Sequence, residues 1–147
     1  MGSTLNLKLE KPLLRGWFHE GAAFLSLGAC LMLLDLCRSP ATFLATAIYS
    51  LSLVGLFTSS AIYHRVHWQE KARGIMRRID HAAIFGLIAG TTTPIFLLTL
   101  PRPDNLKAIG LIWIVALVGV VQAIFWIHAP KWFAAILYVA AGWFGFP

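Results

Sequence analysis

The sequence predicts an all-α protein: a polytopic bundle of transmembrane helices with its N-terminus in the cytoplasm. Three observations carry that prediction. Of 147 residues, 59% are apolar and only 12% charged, where a soluble domain has roughly 45–50% and about 25%. A small globule of this composition lacks the polar side chains to cover its surface, and mean hydropathy is accordingly +0.75. The apolar residues gather into five solid runs, without the alternation of barrel strands, and helices satisfy their own backbone groups in hydrocarbon. The Lys and Arg residues are shared unequally between alternate connecting segments. A soluble enzyme, a disordered tail and a DNA-binding domain are excluded as readings. The net charge of +6 comes with no basic stripe interleaved with aromatics outside the runs, so the expected partners are membrane lipids, with no nucleic acid.

One transmembrane domain is expected over residues 1–147. Its first span, about 21–37, follows a polar segment and gains length from Trp17 and Phe18. No small-x-small cleavage site precedes Arg38 and Pro40, so the run reads as a retained span and not as a signal peptide. Asp35 reads as an interfacial carboxylate near its outer end. Cys30 and Cys37 lie seven residues apart, about 10 Å of helical rise, too far for a disulfide within one helix, so they read as small apolar side chains. The second span, about 41–63, contains no charge. A connection of about fifteen residues leads to the third, about 79–100, which opens on Asp80 and His81. Within it, Gly86 and Gly90 make a GxxxG face for close packing. Pro94 removes one backbone donor, and Thr91, Thr92 and Thr93 offer hydroxyls to the freed carbonyls. The fourth span is about 108–128 and the fifth about 132–147. Trp17, Trp113, Trp126, Trp132 and Trp143 fall mostly near the expected boundaries, as an aromatic belt would.

With the N-terminus inside, nine Lys and Arg face the cytoplasm and three face out, the positive-inside arrangement. That orientation brings His19, His64, His67, His81 and His128, together with Asp80, to the cytoplasmic level. Histidine prefers interfaces to hydrocarbon, which accounts for the clustering in the plainest way; a metal or proton site is the sharper reading. Ser60 and His64, four residues apart, share a helix face, and a neutral imidazole there is either an interfacial side chain or a metal ligand. Asp80 opens its span, where a carboxylate serves as an N-cap at the positive end of the helix dipole. Its functional role would be to hold or activate water beside His64. No GxSxG, HExxH or P-loop spacing occurs.

Five segments in order carry a resemblance over nearly the whole chain: Arg15-Gly16-Trp17-Phe18-His19, Ser60-Ala61-Ile62-Tyr63-His64-Arg65, Arg78-Ile79-Asp80-His81, Ala89-Gly90-Thr91-Thr92-Thr93-Pro94 and Leu137-Tyr138-Val139-Ala140-Ala141-Gly142-Trp143. Together they resemble the hemolysin III family, within the wider group of progestin and adipoQ receptors. The resemblance implies a seven-helix fold with the N-terminus inside and a zinc ion near the cytoplasmic face. It matches His64 to a metal ligand, Ser60 to the serine beside it and Asp80 to the aspartate that holds the water. Thr92 stands where the family pattern has a tyrosine. The family's remaining ligands, an HxxxH motif in the seventh span, have no counterpart here. The chain is therefore expected to be a truncated or remnant form, with about five of the seven spans, that binds zinc weakly or not at all. Two functions follow from the resemblance. One is a zinc-dependent, ceramidase-like hydrolase of a lipid amide or ester in the plasma (inner) membrane, with Asp80 and Ser60 as catalytic residues. The other is a non-enzymatic membrane protein, either pore-forming and hemolysin-like or a factor in membrane homeostasis.

Overall fold

The computed structural model describes residues 13–126 and 129–143. They form five helices in chain order: α1 (Leu13–Asp35), α2 (Pro40–Arg65), α3 (Glu70–Thr99), α4 (Asp104–Phe125) and α5 (Lys131–Trp143). No strand occurs among the described residues. α1 to α4 are long and apolar enough to cross a membrane; α5, at 13 residues, rises about 20 Å, less than the ~30 Å of a hydrocarbon core. Five crossings were expected, and the described residues supply four helices of crossing length. The end of the fifth expected span, 144–147, lies outside the described residues.

α1 and α3 start well before the apolar runs they contain. α1 begins at Leu13 instead of residue 21, and α3 begins at Glu70 instead of 79. Apolar runs mark what contacts hydrocarbon, whereas helix extent follows backbone propensity. Lys71, Ala72, Arg73, Met76, Arg77 and Arg78 are all good helix formers. The expected connection of about fifteen residues therefore shrinks to residues 66–69. Its short path is pinned where Val66 N–H and Trp68 Nε1 both donate to the Ile62 carbonyl, at 3.2 Å each.

The turn between α1 and α2 is set by Ser39 and Pro40. Ser39 Oγ accepts from Thr42 N–H at 3.2 Å while Thr42 Oγ1 accepts from Ser39 N–H at 3.1 Å. This capping box satisfies two orphan donors, and Pro40 stands at a position that needs no N–H. Cys37 falls beyond the end of α1, and both cysteines are free thiols.

Each helix packs on the next in sequence, and α5 adds lighter contacts to α3 and α4. The central seam is α3 on α4: Phe85, Ala89 and Phe96 meet Ile112, Ala116 and Ala123. Gly119 makes this possible, because a Cβ there would stand 2.6 Å from Phe85 Cγ and inside its ring. Trp113 Nε1 donates to Thr93 Oγ1 at 3.0 Å across the same seam. Trp113 is thus a mid-helix tie and not the boundary residue expected from the belt pattern.

α3 approaches α2 at Gly90, where a Cβ would stand 2.6 Å from Ser52 Cβ and collide with its hydroxyl. Gly86, the other half of the expected GxxxG face, has nothing within 4 Å of its Cβ position; only Gly90 is required by contact. The helix runs on through Pro94. Thr92 Oγ1 donates to the Ile88 and Ala89 carbonyls at 2.9 and 3.2 Å, and Thr93 Oγ1 to Ala89 at 2.7 Å. These bonds fall just before Gly90, the residue whose carbonyl loses its donor to Pro94.

Candidate functional site

The polar residues singled out by sequence collect around the last turns of α2. Ser60 is 5% exposed, and His64 stands one turn beyond it on the same side. α1 crosses this end at Gly16, whose missing side chain admits α2: a Cβ would lie 3.1 Å from Arg65 Cγ and Cδ and 3.4 Å from His64 Cβ. The approach stacks His19 on His64, with ring centroids 5.9 Å apart and planes at 12°. Tyr63 flanks His64 at 4.8 Å, and Phe57 lies 6.1 Å from His19.

Beside the imidazoles, Arg65 joins the two helices twice. Its Nε lies 3.1 Å from Glu20 Oε2, and its guanidinium carbon lies 3.8 Å over the Trp17 ring. Sequence reasoning missed this Trp17–Glu20–Arg65 group. The available signal was the three-residue spacing of Trp17 and Glu20, which places both on one face of α1.

Asp80 belongs to α3 and is half-buried. It is not an N-cap: α3 starts ten residues earlier, with Gln69 at the cap, so about 15 Å of helix separates Asp80 from the positive end. The antiparallel register still brings it to the right level. Gly90 meets Ser52, and Ser59 shares a groove with Ala82 and Ala83, so Asp80 stands level with the last turns of α2. On α5, Tyr138 stacks on Phe85 with centroids 4.6 Å apart.

The five histidines thus divide. His19 and His64 meet. His67 is exposed in the α2–α3 connection, and His81 is exposed on α3 with Nδ1 donating to the Arg77 carbonyl at 2.7 Å. His128 lies outside the described residues.

A zinc site normally takes at least three protein ligands. Among the described residues no three of His, Cys, Asp and Glu converge to hold a metal ion. The described donor set therefore does not fit a complete zinc centre; it offers two stacked imidazoles at one level. What the arrangement offers chemically is a buried hydroxyl, an imidazole and a carboxylate at one end of a membrane bundle.

Known proteins resemble the chain along most of its length. The family model for haemolysin-III related proteins matches residues 7–147. The chain is 30% identical over 128 residues to the protein named Hemolysin-3 of Bacillus cereus, covering 85% of this chain and 58% of that one. It is 33% identical over 96 residues to the Hemolysin-3 homolog of Bacillus subtilis (strain 168), covering 65% and 45% respectively. The chain spans about half the length of these curated relatives. No solved structure matches it.

Proposed function

This chain belongs to the haemolysin-III related family, and from that premise we propose that Ser60, His64 and Asp80 form a hydrolase-like site for a lipid amide or ester at the cytoplasmic face of the plasma membrane. The protein itself is an integral, multi-pass membrane protein. In the proposed reaction the Asp80 carboxylate accepts the proton of the attacking water as its oxygen adds to the carbonyl carbon, and returns that proton to the amine or alcohol that leaves as the acyl C–N or C–O bond breaks, releasing a fatty acid. The Ser60 hydroxyl donates to the carbonyl oxygen as negative charge builds there. His64 holds the substrate's polar group at the level of both.

Ser60 supports this reading best. Ser60 is a buried residue, 5% exposed, one turn before an imidazole near the end of a membrane helix, and a hydroxyl beside a histidine at that position is what the reading requires. Zinc enters this reading only through the family resemblance. His64 is its one matched ligand, and no step above passes through the metal.

The test is turnover of a lipid amide and a lipid ester by the chain in phospholipid vesicles. Asp80→Asn should lower turnover by about 10²- to 10⁴-fold, the usual contribution of a positioned general base. Equal turnover by the variant would reject the site.

A second reading follows from the names of the relatives, Hemolysin-3 and Hemolysin-3 homolog: a protein that permeabilises membranes without catalysis. Dye release from the same vesicles that persists in Asp80→Asn, with no lipid consumed, would favour it.

A further inference from the structure

A groove of about 300 Å³ runs along the seam between α1 and α2. Its walls are Ala23, Phe24, Leu27, Val54 and Ala61, and its mouth is the Glu20–Arg65 pair. Ala61, Ile62 and Arg65 face roughly 100–200° around α2 from Ser60, so the groove opens on a different flank from the proposed hydrolase-like site. From Glu20 to Leu27 the apolar wall runs about 10 Å along α1.

We propose that this groove holds one acyl chain of a phosphatidylethanolamine, with the headgroup clamped by Glu20 and Arg65. Three observations specify that occupant. The walls are apolar apart from Thr58 and continuous with the lipid-facing surface: Phe24 and Leu25 are 71% and 77% exposed. The mouth carries one acid and one base side by side, with more than a third of each side chain exposed. A headgroup that carries an ammonium and a phosphate matches that pair, the ammonium on Glu20 and the phosphate on the guanidinium. Finally, Glu20 Oε2 is buried against Arg65 Nε at 3.1 Å, which leaves the second oxygen of this partly exposed carboxylate as the acceptor for an ammonium. A primary ammonium supplies N–H donors. The quaternary ammonium of phosphatidylcholine has none, and phosphatidylglycerol brings only negative charge beside Glu20. Trp17, stacked on Arg65, stands where an interfacial indole meets the headgroup layer.

The inference goes beyond the hydrolase reading and is tested apart from it. The whole chain in detergent is titrated with phosphatidylethanolamine, phosphatidylcholine and phosphatidylglycerol of identical acyl chains. Bound lipid is counted by native mass spectrometry. The unsubstituted chain should prefer phosphatidylethanolamine over either other lipid by about tenfold, the scale of one charge-assisted hydrogen bond. Glu20→Gln should bring phosphatidylethanolamine and phosphatidylcholine to parity. Val54→Phe, which fills the groove, should weaken all three lipids together. Equal binding of the three lipids by the unsubstituted chain would overturn the proposal, as it would if a protein helix or detergent were the natural occupant, and this comparison needs no variant to fold. A phosphatidylethanolamine preference that survives in Glu20→Gln would overturn the assignment of the headgroup, and lipid binding that Val54→Phe leaves intact would overturn the groove as its seat.

Discussion

At Gly16, a single missing Cβ decides what the end of the bundle that carries His19 and His64 looks like. It lets the last turn of α2 close on α1, and two of the segments that carry the family resemblance thereby dock on one another, His19 on His64 and Trp17 on Arg65. Part of this was legible. The four-residue spacing of Ser60 and His64 fixes them on one face whatever packs there, and orientation alone brings His19 to the level of His64. The N-cap role expected for Asp80 failed for a physical reason: the apolar run begins beside it, but the helix begins at Glu70. The Glu20–Arg65 pair was hidden because it joins residues 45 positions apart, across a contact that only tertiary packing creates. His64 is matched to a zinc ligand, yet no three donors converge among the described residues. Elemental analysis of the purified chain should find substoichiometric zinc that dialysis removes. One tightly held zinc per chain, lost in His64→Ala, would show that other side chains complete the site.

Helix α3 shows where pattern reading succeeds and where it stops. A GxxxG spacing announces close packing, but it does not say which glycine makes the contact. Gly90 is pressed against Ser52 while Gly86 faces open space, because α3 converges on α2 at one level and leaves a groove lined by Gly55, Ser59 and Gly86 at another. Replacing Gly90 with Leu should therefore destabilise the bundle by about 1–3 kcal/mol or more, the cost of overpacking a tight contact. Gly86→Ala should leave thermal unfolding in detergent nearly unchanged, since its Cβ meets nothing. A Gly90→Leu protein that unfolds at the temperature of the unsubstituted chain would contradict the α2–α3 register, and with it the level assigned to Asp80. The extension of α3 into the basic segment was readable in principle from helix propensity. It was masked because Lys71, Arg73, Arg77 and Arg78 are also what a cytoplasmic loop is expected to contain.

The molecule as a whole is built for lipid. Many of its large apolar side chains lie on the outside, Phe125 at 82% exposure among them, while Phe85, Phe96 and Ile112 are buried in the α3–α4 seam. That pattern is why fold class was readable from composition alone: a chain with so few charges has no other solvent to face. The first four apolar runs fall on helices α1 to α4, whereas the packing partners were not legible, since outward and inward faces are equally apolar and the pattern carries no contrast between them. The central claim is that His19, Ser60, His64 and Asp80 share the cytoplasmic level, which rests on the nine-to-three bias of Lys and Arg. Thiol labelling of the whole chain in intact cells tests it most directly. With Cys30 and Cys37 replaced by Ser, single cysteines are placed as Arg38→Cys between α1 and α2, and as Gln69→Cys between α2 and α3. A membrane-impermeant reagent should label Arg38→Cys in intact cells and reach Gln69→Cys only after lysis. Labelling of Gln69→Cys in intact cells, with Arg38→Cys protected, would contradict the orientation and remove the polar site from the cytoplasmic face.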